Sequence, residues 1–425
     1  MRRIQSRMGA IGATLLLVAG IAGCGGDDGG DSADGGPITL ELPSWQADDG
    51  NFENWLRPLV EAFNEQDPDV QVELQPVPYD GFVDQLTTRF AADDPPEILH
   101  LPSANFTEFA SKGWLSPIDD RLGDTDIVEN WAPLQDEMKW DDKYEGVLLL
   151  GYGQLLFYNK ALLDAAGVAI PTSPEDLLAA AKTLTSGDVF GFGATTAQHP
   201  RNYSELESWT VGMGTQFSTA DEFTVDTPEM EEALSLYREL LQYAPKGTTT
   251  QQRFELFSQG KIAMMFDGPF LIPEIESAPP EIKDDLLVAI PPLPQVPGSV
   301  SNAFHIPEGL DPEVADAAWS FIEFATTPEW QAKYASLLGV PAPRMGVITD
   351  EMVAEQPRLE VIQESADQAV MSAPESPVLK AEFSRYSDMV GQQMMRMVST
   401  DDDLPTILAD LQKQLEQEFP DLQNQ

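Results

Sequence analysis

The stretch Lys143 to Pro171, KYEGVLLLGYGQLLFYNKALLDAAGVAIP, decides how the rest of the chain is read. A polar turn at Asp141-Asp142-Lys143 leads into an apolar run, Val147 to Leu150, which Gly151 and Gly153 interrupt. The run resumes as Leu155-Leu156-Phe157-Tyr158, and Asn159-Lys160 then opens a short helix over Ala161 to Ala166. Glycine inside an apolar run forfeits side-chain packing and costs backbone entropy. Two of them point to a segment that bends or lets a ligand approach the backbone. Locally, one buried strand with a bulge explains the same residues. The sequence around the stretch has to decide.

A chain of 425 residues exceeds one ordinary core, so two domains are expected. With 42% hydrophobic and 9% aromatic residues it can build them. Asp and Glu number 71 against 24 Lys and Arg, for a formal charge of -47. Such a surface repels nucleic acid and anionic membranes and favours solubility; it fits a saline habitat or a basic docking partner equally well. Three His and one Cys leave almost no material for a Cys/His metal site, and none is expected.

The single Cys has another use. Arg2, Arg3 and Arg7 precede an apolar segment, Ile11 to Ile21, that is short for a bilayer span and reads as an export signal. It ends Ile21-Ala22-Gly23-Cys24, which resembles a bacterial lipobox, in which cleavage precedes a lipidated Cys. Residues 1–23 are then a lipoprotein signal peptide. Residues 24–36, nearly all Gly, Asp, Ser and Ala, form a flexible tether that cannot make a core. Each buried acyl methylene contributes about 0.8 kcal/mol, so more than one chain on Cys24 anchors the protein durably outside the cytoplasmic membrane.

Beyond the tether, Ile38-Thr39-Leu40-Glu41-Leu42 alternates as a strand, and Phe52, Trp55, Leu56, Leu59, Val60 and Phe63 form a helical stripe. Val70 to Leu74 is a second strand, Tyr79 to Ala92 a helix and Glu97 to Leu101 a third strand. This order implies parallel strands with crossover helices, whose ligands sit at the carboxyl ends of the strands. Two loops lie there, Ser44 to Asp49 and Pro102 to Asn105. Trp45 offers a ring to stack on a sugar face, with Gln46 and Asp48 to bond its hydroxyls; Asn105 offers an amide. The alternative for Trp45 is a ring lying over the sheet end.

Further on, Ser173, Thr227, Asp311 and Thr327 each precede Pro-Glu, placing a capping oxygen, a proline and an acid at four helix starts. Phe190 to Gly193 reads as a strand. Phe254 to Gly260 reads as a helix end, Ile262 to Phe266 as a buried strand, and Gly268-Pro269-Phe270 as a sharp turn. Leu286 to Ile290 is another strand before the proline-rich Pro291 to Pro297. Pro377 to Val398 reads as one long helix, and Leu404 to Phe419 as an amphipathic one.

Taken in order, these motifs resemble the extracellular solute-binding proteins of ATP-driven importers, and within them the sugar-binding, maltose-binding-protein-like branch. The residues that carry the resemblance are Tyr152-Gly153, the Tyr158-Asn159-Lys160 segment with Pro171-Thr172-Ser173, and Phe257 to Phe270 with its Gly260-Lys261 and Gly268-Pro269. The turn Gly339 to Arg344 completes them. The resemblance covers nearly the whole chain after the tether. It implies a type II periplasmic-binding-protein-like α/β fold, two lobes joined by crossing strands with a cleft between them. Residues 37–149 and 298–340 would form the first lobe, and 150–297 and 341–425 the second.

The resemblance also implies site residues. Tyr152 and Gln154 would line the cleft floor, with Gly151 and Gly153 as a hinge at the first passage between lobes. Trp209 stands about where family members often present a stacking aromatic, its alternative being a core Trp, and Phe270 where sugar binders commonly carry Trp. Asn302 replaces a pair of glycines. Arg344, in the Gly-x-Pro-x-Arg turn, would reach the ligand or pair with a local acid. Tyr386 lies on the helix that lends an aromatic to the cleft in the maltose-binding branch.

Among the motifs of catalysis, Gly-x-Ser-x-Gly, the Walker loop, Gly-x-Gly-x-x-Gly after a strand and His-Glu-x-x-His are all missing from the sequence. The expectation is therefore a binder without cofactor, monomeric, that hands a sugar or oligosaccharide to the membrane subunits of an ABC importer with a separate ATPase. A polyamine or other small solute is the alternative within the fold. A lipoprotein glycoside hydrolase and a sensor lipoprotein are alternatives outside it.

Overall fold

The computed structural model describes residues 36–47, 52–79, 81–199, 201–420 and 422. The export signal with Cys24, nearly all of the tether, and Asp48 lie outside the described residues. Pro37 to Gln425 makes up one compact unit.

The first lobe opens on two parallel strands. β1 (Ile38–Ser44) pairs with β2 (Val70–Pro76), Ile38 opposite Val70. The helix Glu53–Gln66 links them, burying Trp55, Leu56, Leu59, Val60 and Phe63, the side chains spaced three and four apart. The helix Phe82–Ala91 leads on to β3 (Leu99–Pro102), held beside β1 where Ile98 N–H donates to the Glu41 carbonyl at 3.2 Å. Asp141 and Asp142, both at positive φ, close a two-residue hairpin between β4 (Lys139–Trp140) and β5 (Lys143–Tyr144).

β6 (Val147–Gly153) and β7 (Leu155–Asn159) follow with only Gln154 between them, yet they serve different sheets. β7 is the middle of an antiparallel trio with β8 (Met264–Asp267) and β9 (Leu286–Ala289). β6 instead pairs with β10 (Val296–His305), which also pairs with β3 and, at its start, with β11 (Ala369–Met371). The buried side chains change cores over the same short span. Val147 to Leu150 belong to the core around Leu40, Phe109 and Phe304, whereas Leu155 and Leu156 belong to those around Met265 and Trp209. Two α/β lobes joined by crossing strands, with a cleft between them, follow from this topology.

Several sequence expectations need adjustment. The helix expected over Pro377 to Val398 is two, Pro377–Ala381 and Phe383–Ser399, broken at Glu382. Phe190 to Gly193 makes isolated bridges to Ile262 and Met265 without a ladder. Ser173 and Thr227 cap their helices through side-chain oxygens, but Asp311 and Thr327 make no such bond. Among the described residues no helix is long and apolar enough to cross a membrane.

Candidate functional site

The cavity between the lobes has a volume of about 240 Å³. Its floor is the crossing itself: Tyr152 of β6 sits opposite Ser299 of β10 in register, and both line the cavity beside Gln154 and Val300. One wall comes from the first lobe, where the turn after β3 brings Ser103 and Ala104, and the helix Phe106–Ser111 brings Phe106 and Thr107. Glu137 and Met138 extend that wall. The facing wall is the helix Arg201–Gly212, which presents Arg201, Ser204 and Ser208 at spacings of three to four residues, with Tyr203 beside them. Met371 to Pro374, Lys380 and Phe383 close the remaining side.

The lining mixes rings with hydroxyls. Gln154 Nε2 donates to Ser208 Oγ at 3.3 Å. Burial raises the Tyr152 phenol above its ordinary value, so it stays a neutral hydroxyl able to donate. Its ring meets Phe270 edge-on at 5.5 Å, and Phe270 lies 5.6 Å from the Arg201 guanidinium. The hydroxyls of Ser103 and Ser372 are buried and have no protein partner among the described residues.

A narrow recess of about 30 Å³ continues from this cavity into the second lobe, past Gln154, Arg201 and Ser208 to Trp209 and Arg253. Fully buried Asp267 lies at its side. Its Oδ1 accepts from Arg201 Nη2 and from Gly268 N–H, both at 2.8 Å, and its Oδ2 accepts from Arg253. Arg253 Nη1 also reaches Glu205 at 3.1 Å, which accepts from the Thr195 amide and bonds the Tyr237 side chain. Two cations and two carboxylates thus balance one another beneath the cleft.

A larger hollow, about 610 Å³, lies elsewhere, between Leu337–Gly339 and Gln356–Ile362. Among its polar groups Arg358 and Glu276 are paired to each other, whereas the smaller cavity lies on the interlobe crossing and is lined by several serines, Tyr152 and Gln154. The smaller one is the better candidate.

The residues singled out in the sequence divide sharply. Tyr152 and Gln154 line the cavity, and Phe270 backs Tyr152 from behind. Trp45 is half-buried, stacked on His100 at 4.3 Å with Phe82 and Tyr79 edge-on, and lies outside the cavity lining. Gln46 is buried beside it, and Asn105 is half-buried next to lining residues without being one.

Four candidates are placed elsewhere by their packing. Trp209 is a core residue: its indole N–H donates to the Ala233 carbonyl at 2.7 Å and its ring stacks on Tyr237. It also lines the recess. Tyr386 is fully buried between Tyr203 and Phe419. Asn302 is fully buried, with Oδ1 3.0 Å from His100 Nε2, while His100 Nδ1 lies 2.8 Å from Ser44 Oγ. Arg344 is buried against the Thr326 carbonyl and Asp126, so its local-acid reading prevails.

The expected hinge glycines have a packing role. A Cβ on Gly153 would overlap the Ser365 carbonyl, and one on Gly151 would come within 2.9 Å of Leu134 Cδ1. Sequence reading missed Arg201, Ser204, Ser208 and Lys380. The Arg-x-x-Ser-x-x-x-Ser face of the helix was the available signal. Among the described residues no cluster suited to a metal ion occurs.

Residues 49–332 match the model of the bacterial extracellular solute-binding protein family. The chain belongs to that family. Its members bind solutes for ABC importers and do not catalyse reactions. The diacetylchitobiose binding protein DasA of Streptomyces coelicolor is 23% identical over 356 residues, 78% of this chain and 80% of that one. The cyclic alpha-maltosyl-1,6-maltose binding protein of Arthrobacter globiformis superposes with a TM-score of 0.78 at 20% identity. The match covers 92% of this chain and 100% of the other. UgpB of Mycobacterium tuberculosis, in complex with glycerophosphocholine, gives 0.77 at 20% identity over the same shares. At these identities the likeness is one of fold.

Proposed function

We propose that this solute-binding protein captures a carbohydrate in the interlobe cleft and delivers it to the membrane subunits of an ABC importer. The observation that carries the reading is the lining: rings of Tyr152, Phe106 and Phe383 beside the hydroxyls of Ser103, Thr107, Ser204, Ser208 and Ser299. Rings cover the apolar faces of a sugar while hydroxyls and the Gln154 amide exchange hydrogen bonds with its rim. DasA and the maltosyl-maltose binder, named for sugars, share the fold. Energy for transport comes from a separate ATPase.

Residues 37–149 with 298–340, and 150–297 with 341–425, act as the two lobes, and closure bends the chain over Gly151 to Gln154. Lipid on Cys24 tethers the protein to the outer side of the cell membrane. A polyamine fits less well: Glu137 is the one carboxylate lining the cavity among the described residues, already paired with Lys380, and Arg201 opposes a cation. A glycoside hydrolase needs two carboxylates flanking the bond, and the cavity lining supplies one.

A thermal-shift panel of mono- and oligosaccharides against polyamines tests this. Stabilisation by at least one sugar, with no release of reducing ends, is expected. Stabilisation by polyamines alone, or turnover of a sugar, refutes it.

A further inference from the structure

The cleft lining differs from the rest of the molecule in which charged residues it presents, each of its cations being paired with a carboxylate. Acids outnumber Lys and Arg by 71 to 24 in the chain, yet two of the three charged groups lining the cavity are cations, Arg201 and Lys380. The third, Glu137, lies 3.4 Å from Lys380 Nζ and is spoken for.

Arg201 is built into the site. It opens the helix Arg201–Gly212, whose first turn contains no acid and whose Arg201 and Asn202 amides are taken by His199. Its Nη2 donates to Asp267, while its Nε is buried and has no partner among the described residues. Asp267 is shared: Arg253 and the Gly268 amide bond it as well, so it holds Arg201 in place without using up its donors. Across the cavity, Ser103 is nine-tenths buried, and its hydroxyl too has no partner among the described residues.

A buried guanidinium N–H without an acceptor costs more than an unmade surface bond, because desolvation is not repaid. A neutral hydroxyl answers one such donor. A carboxylate or phosphoryl group answers it with a bond charged on both sides, which a neutral hydroxyl does not make.

Resting on the carbohydrate reading above, we infer that the solute bound in this cleft bears an oxyanion, a carboxylate or phosphoryl group, on a hydroxyl-rich body. Arg201 receives the oxyanion, and the serines of the facing walls receive the hydroxyls.

Titration calorimetry on the full-length protein in mild detergent compares matched pairs, glucuronate with glucose and glycerol phosphate with glycerol. The charged member of one pair is expected to bind at least about tenfold more tightly than its neutral partner. Which pair responds distinguishes carboxylate from phosphoryl. Arg201→Gln should bring the two members within about twofold of each other, and Arg201→Lys should restore part of the preference. Arg253 still pairs with Asp267 in both variants, and circular dichroism checks their folding.

Neutral sugar bound as tightly as its charged partner, or a preference that survives Arg201→Gln, overturns the inference and leaves the carbohydrate reading standing. Failure of both charged members to bind overturns it as well. Binding of polyamines in place of every sugar removes both readings.

Discussion

Lys380 Nζ lies 3.4 Å from Glu137 Oε2, and this ion pair joins the two sides of the cleft. Glu137 belongs to the wall of the first lobe, while Lys380 follows Leu379, which packs in the core of the second. The two side chains are 33% and 27% exposed, so water screens the pair and its worth is about 0.2–1 kcal/mol. That is enough to bias an equilibrium between open and closed forms. Glu137→Gln and Lys380→Met should each enlarge the unliganded protein in small-angle scattering, and the double variant should add nothing to either. An additive double variant would show the two side chains acting separately.

Beneath the cleft, Asp267 and Arg253 are buried almost completely. Removing Arg253 leaves the nearly buried Glu205 without its cation and Asp267 with Arg201 as its remaining one. Arg253→Met should therefore cost about 3–5 kcal/mol in urea unfolding. A loss below about 1 kcal/mol would mean that water reaches Asp267.

Gly153→Ala tests close packing. The added methyl meets the Ser365 backbone carbonyl, which cannot swing aside as a side chain can. A destabilisation of about 1–3 kcal/mol is expected, against less than about 0.5 kcal/mol for Gly123→Ala, whose new Cβ makes only ordinary contacts at 3.5 Å. Equal costs at the two positions contradict the packing role.

Trp209→Ala and Tyr152→Ala should separate stability from binding. Trp209 loses core packing and its bond to Ala233, costing about 3–5 kcal/mol. Tyr152, on the cavity floor, should lower affinity for the best-binding sugar about tenfold while the unfolding midpoint changes little. The opposite pattern would move the ligand into the recess.

The pH dependence follows from four buried groups, one of them Glu145, whose carboxyl burial lifts from 4.5 to about 7, in the same direction as Glu207. Burial lifts the Glu207 carboxyl from 4.5 to about 8, so the folded chain holds a proton that the unfolded chain releases. Its contribution is fully present below about 4.5 and is lost as pH rises through about 8. Burial depresses His100 and His305 from 6.5 to about 4, so their contribution is present above 6.5 and is lost as pH falls through about 4. Unfolding free energy should decline from about 6.5 towards 8, and Glu207→Gln should flatten that decline. An unchanged slope in the variant assigns the decline to other groups.

Particular residues show how far the sequence could be read. The stripe at Trp55, Leu56, Leu59 and Phe63 and the alternation at Ile38 to Leu42 are local periodicities, and each formed the element expected. The interruption at Gly151 and Gly153 was visible as an irregularity, and the core does change across it. Trp45 and Trp209 were harder. An indole has the same signature whether it stacks on a sugar, on His100 or on Tyr237, and the partner comes from a distant part of the chain.

The sequence by itself determined elements such as β1, β2 and the helix Glu53–Gln66, because periodicity and turn chemistry act between near neighbours, and the order of its motifs carried the resemblance to the family and its two-lobed fold. Only the tertiary structure decided what faces the cleft. Arg201, Ser299 and Lys380 lie far apart in the chain and meet because β6, β10 and β11 cross side by side. Burial, which no single residue specifies, placed Tyr386, Asn302 and Arg344 outside the cavity lining and left Trp209 on the recess.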